Sequence, residues 1–218
     1  MYTRLLFASL ALVFCLCSAA AVKADEIAVW NFNDSNLIVD RGLGTLTTTA
    51  NPANILFLDG TTFLASMGDP AGMALAFQAG ANLQNNGMIL ELHASTVGYT
   101  NIAVSWAWQR SDTGFNDDVI RESADGTTFT GFTFAGINTN FWGGIHSSFG
   151  PISPFDNNPN FAVRITLNGA TSETGTLRFD NIVISGTKIV PEPATMLLLG
   201  GGLAGIAAEV RRRRRARR

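Results

Sequence analysis

The sequence is very poor in cysteine. Cys15 and Cys17 are the only two cysteines in 218 residues, and both lie in the apolar N-terminal segment. Disulfide bonds and a cysteine nucleophile are therefore excluded from any domain beyond residue 17. We expect such a domain to be stabilised by burial of its core or by a bound metal ion.

The N-terminal segment has the three parts of a secretory signal peptide. Arg4 is followed by an apolar stretch over residues 5–16 and then by small residues up to Ala24. We expect cleavage after Ala24, with Ala21 as the alternative position. An uncleaved anchor and a lipidated cysteine are disfavoured, because the apolar stretch is short and bulky residues precede both cysteines.

Histidine is scarce as well, and no hydrolase motif accompanies it. His93 and His146 are the only two histidines, and GxSxG, HExxH and a glycine-rich phosphate loop are all missing. We therefore predict that the protein is not an enzyme. The alternative is a jelly-roll glycoside hydrolase or lyase acting on a polysaccharide, since such enzymes use paired carboxylates. The candidates for that pair are Glu91, Asp117, Asp118 and Glu122.

Basic residues are few in the central part of the chain. Residues 25–190 contain six lysines and arginines against fifteen aspartates and glutamates, a net charge of about −9. Nucleic-acid binding needs a basic patch that neutralises phosphates, so this acidic body argues against a nucleic-acid partner. Seven arginines after residue 210 bring the net charge of the whole chain to −2.

Helical periodicity is missing between residues 25 and 188. Short segments alternate large apolar residues with small or polar ones, and Gly, Asn, Asp and Pro separate them. This pattern predicts an all-β fold, an antiparallel β-sandwich resembling a jelly roll. The predicted strands are 28–32, 55–58, 73–77, 88–92, 102–109, 119–123, 127–134, 161–167 and 176–185.

Local features refine this prediction. The dipeptides at 125–126 and 168–169, Asp-Gly and Asn-Gly, are typical of tight turns. The alternation changes phase within two strands, so we predict β-bulges at 130–131 and near 180–181.

The C-terminus combines three elements in a fixed order. Val190-Pro191-Glu192-Pro193 is held extended by its prolines. The uncharged residues 194–208 follow and predict a membrane-spanning helix, although 15 residues give only about 22 Å against a bilayer core of about 30 Å. A cluster of arginines then predicts a cytoplasmic end that stops translocation, formed by Arg211, Arg212, Arg213, Arg214, Arg215, Arg217 and Arg218. A buried helix with a basic tail is the alternative.

This order of elements over residues 189–218 resembles the PEP-CTERM protein-sorting signal. The resemblance implies export by a Gram-negative bacterium, transient anchoring in the inner membrane and processing by exosortase, a membrane transpeptidase or protease. It also implies an association with exopolysaccharide. Two stretches of the body, SADGTTFT at 123–130 and FDNIVISG at 179–186, resemble the ectodomains of such proteins and, more loosely, carbohydrate-binding jelly rolls.

Glycan binding is a hypothesis that rests on aromatic and polar residues. Aromatic rings stack on sugar C–H faces while amides and charged groups bind the hydroxyls. We interpret 138–160 as a long loop that is functional or mobile, and Trp106 and Trp108 as core residues. The candidate glycan-binding residues are Tyr99, Asn140, Phe141, Trp142 and His146.

A structural calcium ion is the one cofactor that the sequence suggests. Calcium prefers carboxylate and carbonyl oxygens, and Asp112, Asn116, Asp117 and Asp118 form an oxygen-rich segment. We thus expect a non-enzymatic surface or matrix protein with a structural or adhesive role. Its expected partners are signal peptidase, exosortase, the membrane before processing, and an exopolysaccharide.

Overall fold

The computed structural model describes residues 24–66, 68–135, 140–150 and 152–189, together with 200, 202–203 and 211–216; of residues 132–135 only the backbone is described. These ranges contain two short 3-10 helices, Pro52–Asn54 and Ala81–Leu83. They also contain twelve strands: β1 Asp25–Trp30, β2 Arg41–Gly42, β3 Thr45–Thr48, β4 Ile55–Asp59, β5 Met73–Gln78, β6 Met88–Ala94, β7 Tyr99–Arg110, β8 Asp117–Ser123, β9 Thr130–Ala135, β10 Gly143–Ser148, β11 Phe161–Leu167 and β12 Thr176–Lys188.

The strands form two sheets. The larger sheet has the order β10-β7-β12-β1-β2, with β5 also paired to β12 and β4 paired to β5. The smaller sheet has the order β3-β6-β11-β8-β9. Strand pairs with a defined register are antiparallel. The predicted all-β antiparallel class is therefore confirmed.

Eight of the strands form the framework of the two sheets, and the chain changes sheet at each step between them except from β8 to β9. Numbered 1 to 8 in chain order, these are β1, β6, β7, β8, β9, β10, β11 and β12. They lie in the orders 1-8-3-6 and 2-7-4-5, which is the strand order of a jelly roll. The short strands β2 to β5 extend the two sheets around this framework.

The inner faces of both sheets share one hydrophobic core. Trp106 and Trp108 from β7 contribute to it together with Phe179 from β12, and the two tryptophan rings meet edge to face with centroids 5.9 Å apart. Leu90 and Ile165 enter the core from the smaller sheet and are fully buried. Each such side chain contributes about 1.5–3 kcal/mol by its burial. The prediction that both tryptophans are core residues is correct.

The predicted turn at 125–126 forms as a bend between β8 and β9, whereas residues 168–169 form no tight turn and lie in the connection from β11 to β12. Gly126 and Gly169 have φ values of 74° and 80°, in the left-handed region that favours glycine. One of the two predicted bulges is wrong: β9 begins at Thr130 and pairs regularly with β8 from there, so Phe129 precedes the strand. Near residue 180 the strand does change phase, because Asn181 has a φ of 52° and Phe179 and Ile182 both lie in the core.

The segment 138–160 is not one long loop. Its described part includes β10, which pairs with β7 over six residues. After that strand, the rings of Phe149 and Phe155 pack on each other and on Phe161, with centroids 4.6–5.9 Å apart. Asn158 Nδ2 donates to the carbonyls of Ala124 and Pro154 at 3.0 and 2.7 Å. Pairing, aromatic packing and hydrogen bonds therefore hold most of this segment in place.

Residues 188–218 form a second unit. Residues 211–215 are helical. Within the part of the chain that the structure describes, no helix is long and apolar enough to span a membrane. The predicted signal peptide up to residue 23, Val190 to Pro193 and most of the predicted membrane helix lie outside the described residues, as do Arg217 and Arg218.

Candidate functional site

A row of polar side chains lies on the outer face of the smaller sheet. In β6, alternation buries Met88, Leu90 and Leu92 and leaves Glu91 and His93 on the outer side. These two are joined by a contact of 2.6 Å between His93 Nε2 and Glu91 Oε1. The core residues of β6 thus fix which way this polar pair points.

Arg164 joins the row from the neighbouring strand. It lies directly opposite Glu91 in the β11–β6 register, and its Nε donates to Glu91 Oε2 at 2.6 Å. Burial of the Glu91 carboxyl opposes its ionisation, but the hydrogen bonds from Arg164 and His93 outweigh burial and lower its pKa. Glu91 is therefore an ionised acceptor that is held from both sides.

A phenyl ring lies against the arginine. The Cζ atom of Arg164 is 3.7 Å from the centroid of the Phe129 ring, a cation–π contact. Phe129 is placed there by the turn that precedes β9. We call the set Glu91, His93, Phe129 and Arg164 the polar face.

A pocket opens at one end of the polar face. It has a volume of about 340 Å³ and lies between the start of β3, the end of β6 and the 125–126 turn. His93 lines it and so connects it to the polar face, and Thr45, Asp125 and Asn160 add polar groups. Its wall thus combines hydrogen-bonding groups with the apolar Phe161.

Asp125 holds the turn and keeps a charge at the pocket. Its Oδ1 accepts from the backbone N–H groups of Thr128 and Thr127 at 2.6 and 2.8 Å and from Ser123 Oγ at 2.9 Å. These bonds hold the pKa of Asp125 well below its usual range. The carboxylate is therefore charged at any physiological pH.

The predicted glycan-binding residues do not all come together. Phe141 is 74% exposed, and Trp142, which is partly exposed, directly precedes β10. His146 is exposed on β10, which is the edge strand of the larger sheet. Tyr99 lies at the other end of β7, nine residues beyond the partner of Gly143, which is about 30 Å along the strand.

Asn140 belongs to another neighbourhood, since its Nδ2 donates to Asp112 Oδ1 at 2.8 Å. The structure thus joins a predicted glycan-binding residue to a predicted calcium ligand. The remaining calcium candidates separate: Asn116 and Asp117 are exposed, whereas Asp118 is fully buried.

Asp118 has an unusual environment. Its Oδ1 accepts from the Asn168 N–H at 3.3 Å, and its Oδ2 has no hydrogen-bond partner. Burial raises the pKa of this carboxyl to about 7. Among the described residues, no group of three or more His, Cys, Asp or Glu side chains is arranged to hold a metal ion. The calcium site stays a prediction, with the unpartnered Asp118 oxygen as the feature that fits a cation.

The four carboxylates considered for glycoside chemistry lie on different faces of the smaller sheet. Glu122 lies opposite the core residue Val163, so it is on the inner side, as is Asp118. Glu91 and Asp117 are on the outer side but four residues apart in register, about 13 Å along the strands. A glycosidase needs two carboxyls facing one sugar bond at about 5–9.5 Å, and this arrangement does not favour one.

The C-terminal segment matches a known protein-sorting motif. Residues 190–215 match the model of the PEP-CTERM protein-sorting motif. The chain carries a PEP-CTERM sorting motif. The predicted sorting signal is thereby confirmed, and Val190, Pro191, Glu192 and Pro193 form the beginning of the matched segment. No curated protein matches the chain.

Several solved structures match this chain over most of their own length. One is the K3 cleaved adhesin domain of Lys-gingipain from Porphyromonas gingivalis, with 12% identity, 75% of this chain and 99% of that chain covered, and a TM-score of 0.46. The module TmCBM61 in complex with β-1,4-galactotriose is 8% identical, with 71% of this chain and 92% of that chain covered and a TM-score of 0.45. Domain 4 of the arabinanase AbnA from Geobacillus stearothermophilus, in complex with arabinotriose, is 14% identical. The match covers 80% of this chain and 98% of that chain, with a TM-score of 0.45. These values are too low to assign a ligand, and the fold rests on the strand order described above.

Sequence reasoning missed the polar face. Alternation alone places Glu91 and His93 on one side of their strand, and the sequence predicts His93 as an ordinary edge or solvent-facing residue. The register that puts Arg164 opposite Glu91, and the turn that brings Phe129 to it, join residues 35 to 73 positions apart. No local pattern carries that information.

Proposed function

We propose that this protein is exported, processed by exosortase at its PEP-CTERM motif, and binds a polysaccharide at the cell surface or in the extracellular matrix through the polar face. The observation that carries the proposal is the connected row His93–Glu91–Arg164 with Phe129 stacked on the arginine. The motif supports the location, and the row supports the binding role.

The polar face has the chemistry that a sugar requires. A pyranose ring has apolar C–H faces and a rim of hydroxyls, so its site combines a flat surface with hydrogen-bonding groups. The Phe129 ring and the Arg164 guanidinium supply flat surfaces, while Glu91 and His93 supply a carboxylate acceptor and an imidazole ring. Five strands spaced at about 4.8 Å make this face about 19 Å wide, which suits a polymer rather than a single sugar.

The face is also preorganised. Glu91 is fixed by Arg164 and His93, and Arg164 is fixed by Glu91 and Phe129. Side chains that are already ordered lose little conformational entropy when a ligand binds. A structural or adhesive role follows, since a rigid face can hold a polymer strand without altering it.

Affinity electrophoresis against a panel of neutral and acidic polysaccharides tests the binding. Phe129→Ala is expected to weaken binding by about tenfold or more, because one aromatic stacking contact is lost. The double variant Phe141→Ala, Trp142→Ala is the matched control and is expected to bind like the wild type. Circular dichroism checks that both variants are folded.

Three results would contradict the proposal. Retention of the wild-type protein by no polymer would remove the binding role. Loss of binding in the Phe141, Trp142 variant alone would move the site to these two residues, which the sequence predicts for glycan binding and which precede β10. Release of oligosaccharides during incubation would favour the alternative hydrolase or lyase.

Sorting is tested with tags at both ends of the exported chain in a host that has exosortase. The C-terminal tag is expected to separate from the domain, and the double variant Pro191→Ala, Pro193→Ala is expected to keep it. Cell fractionation and immunoblotting measure both. A wild-type protein that retains its C-terminal tag would show that the motif is not processed.

A further inference from the structure

Two of the few basic residues of the domain lie side by side on the proposed binding surface. Arg121 in β8 is directly opposite Arg164 in β11, so both side chains are on the outer face. Side chains in this position have Cβ atoms about 5 Å apart, and like charges there destabilise a sheet. In a body with a net charge of about −9, this local pair of positive charges needs an explanation.

The two arginines differ in what neutralises them. Arg164 is paired with Glu91 and stacked on Phe129. Arg121 has no hydrogen-bond, ion-pair or ring partner among the described residues. Glu122, next to it in the chain, faces the other side of the sheet because it lies opposite Val163. Within the part of the chain that the structure describes, one guanidinium on this face is therefore without a counter-ion.

The neighbouring strand β9 places no side chain directly opposite Arg121. Its partner on the other side, in β9, is Gly131. A Cβ atom at this glycine would lie 2.1 Å from the Ile120 carbonyl oxygen, so the local backbone geometry admits no side chain there. Arg121 is partly exposed, and its guanidinium can be reached from the polymer side of the sheet.

We propose that the polysaccharide held by the polar face is anionic and that Arg121 binds a carboxylate on its sugar units. This inference rests on the proposed binding function and adds the class of polymer. A guanidinium donates two parallel N–H···O bonds to a carboxylate, a geometry that a hydroxyl cannot match. A uronate unit stacked near Phe129 and Arg164 presents its carboxylate to Arg121 and supplies the missing counter-ion.

The test compares one polysaccharide chain with and without its negative charges. Polygalacturonate and its fully methyl-esterified form have the same sugar chain, so only the carboxylate differs. The full exported chain is expected to bind the acid form, and Arg121→Gln is expected to lose at least about tenfold in affinity for it. The same variant is expected to bind neutral polymers of the panel as the wild type does.

Control variants separate charge from structure. Arg121→Lys keeps the charge without the fork and is expected to give an intermediate affinity. Arg178→Gln removes an arginine from β12 in the larger sheet, where Arg178 donates to the Asp59 carbonyl. This variant is expected to leave the affinity for polygalacturonate unchanged. The thermal midpoint of Arg121→Gln is expected to equal or exceed that of the wild type, because repulsion from Arg164 is relieved; a structural role would lower it.

The outcomes distinguish the two proposals. Binding of neutral polymers alone, equal binding of the acid and esterified forms, or unchanged affinity in Arg121→Gln would overturn the anionic specificity and leave polysaccharide binding in place. Retention by no polymer of either kind would overturn both.

Discussion

Asp180 provides a prediction in which protonation and stability are coupled. It lies in β12 and is 1% exposed, and it fastens the segment 60–72 to the larger sheet. Its Oδ2 accepts from the Thr61 N–H at 2.7 Å, and its Oδ1 from the Asn181 N–H at 2.8 Å. Burial raises the pKa of this carboxyl from 3.8 to about 7; the two N–H donors lower it, and the charge of Asp69 raises it.

The direction of the effect follows from linkage. Between pH 3.8 and about 7 the folded protein keeps a proton on Asp180 that the unfolded chain releases. The contribution of Asp180 to stability is therefore most favourable below this window and falls as the pH rises through it. Above about pH 7 the whole of this loss is present. A shift of about three units sets an upper limit of about 4 kcal/mol on the loss.

Asp180→Asn imitates the protonated carboxyl in size and charge, so we expect it to remove this loss. Near pH 4 the variant should be no more stable than the wild type, because its amide nitrogen cannot accept the hydrogen bond that one carboxyl oxygen accepts. Between pH 4 and pH 8 it should gain stability relative to the wild type, by no more than about 4 kcal/mol. Urea unfolding followed by the fluorescence of the buried Trp30, Trp106 and Trp108 measures both.

A stability difference that does not shift in favour of Asp180→Asn between pH 4 and pH 8 would refute the reasoning, because the two N–H donors would then stabilise the carboxylate at least as much as burial penalises it. Asp125→Asn is a control of opposite sign. Hydrogen bonds lower the pKa of Asp125, so its contribution to stability is present at neutral pH and lost as the pH falls. This variant should be destabilised at pH 8, and the difference should shrink in acid.

Two further predictions concern the segment 60–72 and the calcium site. Arg41 binds Asp69 through two nitrogens at 2.9 and 2.8 Å, so Asp69→Asn should speed proteolytic cleavage within 60–72; cleavage at the wild-type rate, followed by mass spectrometry, would contradict this. Calcium binding near Asp118 should raise the thermal midpoint of the wild type relative to protein in EDTA, and should fail to do so in Asp118→Asn. Equal midpoints with calcium and with EDTA in the wild type would remove the calcium site.

Some of this structure can be predicted from the sequence and some cannot, for physical reasons. Strands such as β6 and β11 alternate large apolar residues because one face is buried, so their existence and orientation follow from the pattern. The strands β2, β3 and β10 are short or polar and are stabilised by their neighbours rather than by their own side chains. They therefore leave little trace in the sequence.

The candidate site shows the same division. The sorting motif is a contiguous pattern, so the sequence alone predicts it. The polar face depends on the register between β6 and β11, and its four residues are separated along the chain. The sequence predicts Phe141, Trp142 and Tyr99 as glycan-binding aromatics from their residue type, but strand geometry places Tyr99 far from the other two, and Tyr99 packs against the core.

The position of β12 links the two ends of the domain. It is the last strand in the chain, yet it is the neighbour of β1, β5 and β7 in the larger sheet, and it ends at Lys188, two residues before the sorting motif. If the chain crosses a membrane from its N-terminus, β1, β5 and β7 lack the strand that pairs with all three until residues 176–188 have crossed. The larger sheet is then completed at about the time when the sorting motif reaches the membrane. A chain that ends before residue 176 would lack both the central strand β12 and the sorting motif.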